Sequence, residues 1–143
     1  MLVLLFLAAV LVFPASAGAA DPAIEDGSAL TALNQARERW AARGLDDYRF
    51  QQSIGCFCPP DVTKPRTLRV RNGRAVRPGQ FHRRYATVPK LFAVVRQAIE
   101  AGAARLDVTY GASGLPRHVY VDRSAMIADE ELALDASRLR RLK

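Results

Sequence analysis

Thr67-Leu68-Arg69-Val70-Arg71-Asn72-Gly73-Arg74-Ala75-Val76-Arg77 alternates apolar and basic residues on both sides of an Asn-Gly dipeptide. A two-residue type I′ turn needs positive φ at both central positions, which Asn and Gly tolerate best, so the stretch reads as a β-hairpin. Period-two alternation sets Arg69, Arg71 and Arg74 on one face and Leu68, Val70 and Ala75 on the other, while Val76 and Arg77 fit less well. A hairpin with one apolar face must cover that face, and the flanking segments supply the cover.

Upstream, Tyr48, Phe50, Ile54, Cys56 and Cys58 alternate with Arg49, Gln51, Ser53, Gly55 and Phe57, and Gln52 is the one polar residue on the first face. This predicts a strand whose apolar face includes both sulfurs, stopped by Pro59-Pro60 because neither proline can donate to a ladder. Before it, Leu30, Leu33 and Trp40, with Ala36 and Ala41, fall at helical spacing from Ser28 or Ala29 to Arg43. Ser28 is a candidate cap, Gly44 a terminator and Trp40 a core anchor. Downstream, Pro78 to Ala86 reads as a loop. Thr87 caps a second helix with Pro89 in its first turn and Gly102 at its end, and Leu91, Phe92, Val95, Ala98 and Ile99 form an apolar stripe for a sheet.

Arg105 to Tyr110 and Arg117 to Asp122 make a second hairpin around Gly111-Ala112-Ser113-Gly114-Leu115-Pro116. In the tail, Leu132, Leu134 and Ala136 alternate like a strand, whereas Leu132, Ala136 and Leu139 also fit a helix; the strand is preferred. Helix, strand, hairpin, helix, hairpin, strand predicts an α+β fold: a two-layer antiparallel sheet with two helices packed on one face.

Leu2 to Phe13 is an unbroken apolar run, broken by Pro14 and followed by Ala15-Ser16-Ala17 and Gly18-Ala19-Ala20, both acceptable to signal peptidase. The expected organisation is a signal peptide over 1–20, a flexible lead-in over 21–27 and a single exported domain over 28–143. The n-region has no Lys or Arg, which would fit a start further upstream. An uncleaved anchor is the rival reading, but about a dozen apolar residues span too little of a roughly 30 Å hydrocarbon layer. With no cysteine near the cut, a lipid-modified export signal is not expected either. The expected product is soluble, periplasmic or secreted, and has no transmembrane anchor after cleavage.

The formal net charge is +7, and ten of the 21 basic residues lie between Asp61 and Glu100 with no acid among them. Such a field favours anionic partners and weakens with salt. Nucleic acid is not expected, because no stacking aromatics interleave with the arginines and the compartment is wrong.

The only cysteines are Cys56 and Cys58, in Cys56-Phe57-Cys58-Pro59. On a flat strand, residues i and i+2 stand about 6.6–7 Å apart, whereas a disulfide needs Cβ atoms about 3.8 Å apart. A bridge therefore requires a bend, for which Gly55 and Pro59-Pro60 are suited. Three readings stay open: a structural disulfide or two buried thiols, a redox-active pair whose small ring is easily reduced, and a soft-metal pair. His82 and His118, the only histidines, would serve a metal only if the fold gathered them, and His82 beside Arg83-Arg84 reads as solvated.

Gly111-Ala112-Ser113-Gly114 lacks the final glycine of a nucleophile elbow, and Asp122 with Asp129-Glu130-Glu131 lacks calcium-loop spacing. No phosphate loop, dinucleotide fingerprint or zinc-protease helix is present, so no catalytic residue, metal site or cofactor is assigned.

Trp40, Tyr48-Arg49-Phe50, Cys56-Phe57-Cys58-Pro59, Val70-Arg71-Asn72-Gly73-Arg74-Ala75-Val76, Thr87-Val88 with Leu91-Phe92, Tyr110, Gly114-Leu115-Pro116 and Asp129-Glu130 together resemble a family of small exported bacterial domains of unknown function. The family usually has Asp after the Tyr and Tyr before the Pro, where this chain has Gly111 and Leu115, and many relatives look lipid-anchored, which this chain does not. The resemblance implies an exported α+β domain and no catalytic residues. The leading expectation is a non-enzymatic envelope or periplasmic interaction module that meets an anionic polymer or lipid surface through Arg69, Arg71, Arg74, Arg83 and Arg84. The competing class is a thiol-redox or soft-metal protein acting through Cys56 and Cys58.

Overall fold

A computed structural model describes residues 18–143, so the apolar run and first cleavage site expected over 1–17 lie outside the described residues. In chain order come α1 (Pro22–Glu25), α2 (Ser28–Ala42), β1 (Tyr48–Gly55), α3 (Pro60–Thr63), β2 (Arg66–Arg71), β3 (Arg74–Val76), a 3-10 turn (His82–Tyr85), α4 (Val88–Glu100), β4 (Arg105–Tyr110), β5 (Pro116–Asp122) and β6 (Leu132–Arg141). The strands form one six-stranded antiparallel sheet in the order β3-β2-β1-β6-β5-β4. The fold is α+β, as the segment order predicts, and the tail is a strand.

Alternation decides which face is covered. Phe50 pairs with Leu68, Tyr48 with Val70, Ile54 with Leu134, and Val119 with Leu134 on its other side, so one apolar face runs across the strands. These residues are buried in one core with Leu33, Ala36 and Trp40 of α2 and Leu91, Phe92 and Val95 of α4. Leu30 and Ala41 depart from the expected stripe: both are exposed, and Ala29 is packed against the core in the first turn of α2. The Asn-Gly turn has φ 48° at Asn72 and 71° at Gly73, as a type I′ geometry requires.

Two hydrogen bonds order the start of α4, and one of them ties it to β1. The Thr87 side chain accepts from the Lys90 amide, and the Tyr48 hydroxyl accepts the buried Val88 N–H at 3.0 Å, satisfying one of the orphan donors of the first helical turn. Tyr48 is wedged edge-on to Trp40, with centroids 5.2 Å apart, and burial pushes its phenol up to about 12. At the β4–β5 turn, Gly114 (φ 85°) presses on the α2 backbone so closely that a Cβ there would overlap the Ala36 carbonyl oxygen and lie 2.8 Å from the Trp40 nitrogen.

Several expectations need correction. Residues 21–27, expected as a flexible lead-in, contain the short helix α1 and bond to the rest of the domain. The Asp21 amide donates to Ala103 O at 2.8 Å, and its carboxylate accepts from the amides of Ala23 and Leu106, so α1 is tied to the α4–β4 connection. The first strand ends at Gly55, and the sulfurs lie beyond it. Pro59-Pro60 opens a helical turn, α3, whose Val62 enters the core. His82 is not solvated. It is buried beside Gln52, the polar residue on the apolar face. Gln52 Nε2 donates to Tyr85 O at 2.7 Å and its Oε1 stands 3.0 Å from His82 Nδ1, so Nδ1 carries the proton of this pair.

Candidate functional site

Among the described residues nothing covers the face of the sheet away from the helices, and its charge is divided. Toward β4 acids stand among the basic side chains: Arg105 bonds Asp107 at 2.8 Å and lies over the Tyr120 ring, and His118 Nδ1 meets Asp135 at 2.7 Å, while Arg117 beside them forms no ion pair among the described residues. Toward β3 the balance fails. Arg49 of β1 pairs in register with Arg69 of β2 on one side and Arg140 of β6 on the other, and Arg71 pairs with Arg74. Directly opposed like charges destabilise a sheet. Among the described residues only Arg71 has relief, from Asp47 at 3.3 Å and the Lys143 carbonyl at 3.1 Å. Asp47 is held below the usual carboxylate range chiefly by the Asn72 amide, with a smaller contribution from Arg71. Among the described residues Arg49, Arg69, Arg74, Arg138 and Arg140 form no ion pair.

A β-bulge sharpens this half. Arg49 pairs with Arg140 but Gln51 with Ser137, so two steps on β1 match three on β6. The extra residue breaks strict alternation: Ala136 is buried, Ser137 half-buried, Arg138 exposed, Leu139 packed against the core and Arg140 exposed. Without it, the positions of Arg138 and Leu139 would exchange faces. Arg138 takes φ 54°, a left-handed conformation unusual for a non-glycine residue. Around the bulge lies an open concavity of about 450 Å³ lined by Arg49, Phe50, Gln51, Thr67, Arg138 and Arg140.

The five arginines expected to act together divide. Arg69, Arg71 and Arg74 stand on the open face, but Arg83 and Arg84 do not. Their 3-10 turn sits on the helical layer, held there by buried His82 and by the Lys90 ammonium, which donates to Arg83 O at 2.7 Å. Arg84 lines a separate cleft with Val94 and Ala98 of α4. Sequence reading missed Arg49, Arg138 and Arg140. Arg49 was legible as the outward residue of its strand, but Arg138 and Arg140 depend on a register the sequence does not display.

Cys56 and Cys58 form a disulfide, with Cα atoms 5.2 Å apart. The chain bends as bridging requires: the Cys58 amide donates to Cys56 O at 2.7 Å, closing a three-residue turn. Both cysteines are half-buried against the core margin, and Phe57 at the tip is 90 % exposed. Among the described residues no three His, Cys, Asp or Glu side chains converge as a metal set.

His118 and Asp135 make the hydrogen bond of an oriented base, but among the described residues no hydroxyl bonds to the His118 ring. Ser113, the serine of the rejected elbow, accepts from the Leu115 amide within its own turn. Tyr110, at the end of β4, has a buried hydroxyl without a partner among the described residues, and burial pushes its phenol up to about 12.

Residues 32–141 match a family described as Family of unknown function (DUF6174), and the chain belongs to it. No curated protein and no solved structure matches the chain.

Proposed function

We propose that this member of the DUF6174 family is an exported, non-enzymatic interaction module of the periplasm or cell envelope, which meets an anionic polymer or lipid surface through the basic half of its open sheet face. One observation carries the reading: Arg49, Arg69 and Arg140 stand side by side across three paired strands without an acid among them. Export is supported by the apolar run Leu2 to Phe13 and the small-residue sites after it. The test is retention on anionic vesicles and on an anionic polymer as salt rises. Retention at low ionic strength that fades once the screening length falls below about 10 Å supports the reading. No retention at low salt, or retention unchanged in the triple variant Arg49→Ser, Arg69→Ser, Arg140→Ser, overturns it.

A second reading, thiol exchange, is favoured by the position of the disulfide past the end of β1, half-buried at the core margin on a turn whose tip residue Phe57 is exposed. There a partner thiolate would attack one sulfur, form a mixed disulfide and release the other as thiolate. Intact mass and free-thiol titration check it: a two-hydrogen gain under mild reductant, reversed on removal, supports exchange, and a pair that resists mild reductant excludes it.

A further inference from the structure

We infer that the bulge at Arg138 builds a discrete phosphoryl-binding pocket, in which the guanidinium groups of Arg49, Arg138 and Arg140 hold one phosphate group of the anionic partner, with Gln51 and Thr67 at its wall. The inference rests on the anionic-partner reading above and narrows it from a diffuse field to one site. Three features separate this site from ordinary surface charge.

The first is cost. The fold sets Arg49 opposite Arg140 without an acid, and it holds Arg138 at a φ that a glycine would take without strain. Bulges that re-aim a side chain, and strained non-glycine residues, concentrate at functional sites. The second is shape. The concavity, about 450 Å³, is wider than a bare anion and falls in the range of small-ligand sites, so it admits a phosphoryl group together with part of whatever carries it. The third is chemistry. Guanidinium forks match the paired oxygens of a phosphate, and three cations with no carboxylate suit a dianion better than a single carboxylate. Gln51 and Thr67 are cross-strand neighbours and add an amide and a hydroxyl that can each donate.

The experiment titrates the purified chain with glycerol phosphate, followed by phosphorus NMR, and in parallel measures sedimentation with phosphatidylglycerol vesicles and with neutral phosphatidylcholine vesicles. Arg138→Gly is the decisive variant, because glycine keeps the left-handed bulge while removing the guanidinium. Its unfolding midpoint is expected to equal or exceed the parent's. Arg74→Ser, on the same face but outside the pocket, removes the same charge.

The pocket predicts that Arg138→Gly weakens glycerol phosphate binding at least about tenfold, the scale of one charge-assisted contact, while Arg74→Ser changes it less than about twofold. Equal weakening by the two variants, with salt-sensitive vesicle binding intact, overturns the pocket and leaves the general basic-face reading standing. No binding of any anion at low salt overturns both. Binding of glycerol phosphate without vesicle binding keeps the pocket and assigns it a soluble or polymeric phosphoester, whereas anionic-vesicle binding lost in Arg138→Gly assigns it a lipid headgroup. Should Arg138→Gly fail to fold, Arg49→Gln on the facing strand carries the same expectation.

Discussion

Replacing Gly114 by alanine tests how the second hairpin is locked to the helical layer. Two costs add at this position. The φ of 85° disfavours any residue with a Cβ, at about 1–2 kcal/mol. The new methyl would also overlap the Ala36 carbonyl and crowd the Trp40 nitrogen of α2, both backbone atoms that no side-chain rotation can clear. Overpacking of this kind costs about 1–3 kcal/mol, so the total is about 2–5 kcal/mol, a large share of the roughly 5–15 kcal/mol that holds a domain. Gly27 gives the control, since its φ of 79° is nearly the same and a Cβ there meets nothing within 4 Å. Gly27→Ala should therefore show the conformational part alone, about 1–2 kcal/mol. Urea unfolding at neutral pH measures both, and the difference between the variants reports the contact with α2. If Gly114→Ala loses no more than Gly27→Ala, the turn does not bear on the helix and the reasoning is wrong.

Gln52→Leu removes the side chain that serves both Tyr85 O and His82 Nδ1 and leaves one part-buried and one buried group unpaired, so the urea midpoint should fall by the equivalent of about 2–4 kcal/mol with an unchanged slope. Burial, and to a lesser degree Arg66, holds His82 below its ordinary value of 6.5. The unfolded chain therefore takes up a proton as pH falls through 6.5 while the folded chain resists until lower pH. Its stabilising contribution is complete above that value and is lost below it, a slope that His82→Gln should abolish in a series of unfolding curves from pH 7.5 to pH 5. Tyr48→Phe removes the acceptor of the Val88 amide and should cost about 1–3 kcal/mol in thermal or urea unfolding.

What the sequence revealed was local. The Asn72-Gly73 turn, the Thr87 cap and the alternating strands are each written within a few residues, where sterics and hydrogen bonding act directly. Gln52 stood out as a polar residue on an apolar face, but its partner His82 is thirty residues away and reached through a loop, so the anomaly was visible and its resolution was not. Asp21 is a similar case: its carboxylate caps an amide two residues on and another eighty-five residues on, and only the first is local. Arg138 and Arg140 were hidden for a different reason. Alternation from Leu132 predicts their faces wrongly past the bulge, and the bulge exists only because β6 pairs with β1, a strand from the other half of the chain. The arginine-rich stretch between Asp61 and Glu100 read as one basic patch, yet the sheet and the helical layer take its members to different sides.

The basic half of the face is not something the fold requires. The antiparallel sheet buries one face completely and can leave the other to water, and polar residues such as Gln51, Ser53, Thr67 and Ser137 would meet that need without repulsion. Edge protection does not explain the arginines either: β3 is only three residues long, and β4 at the opposite edge carries Arg105 and Asp107, so both margins are already poor templates for another strand. Toward β4 the same open face shows the alternative in use, with Arg105 and His118 each given an acid. The contrast within one sheet places the unmatched charge where β2, β1 and β6 meet, at the bulge that turns Arg138 outward. The proposed anionic partner would supply the counter-charge that the described residues leave out at the centre of this face.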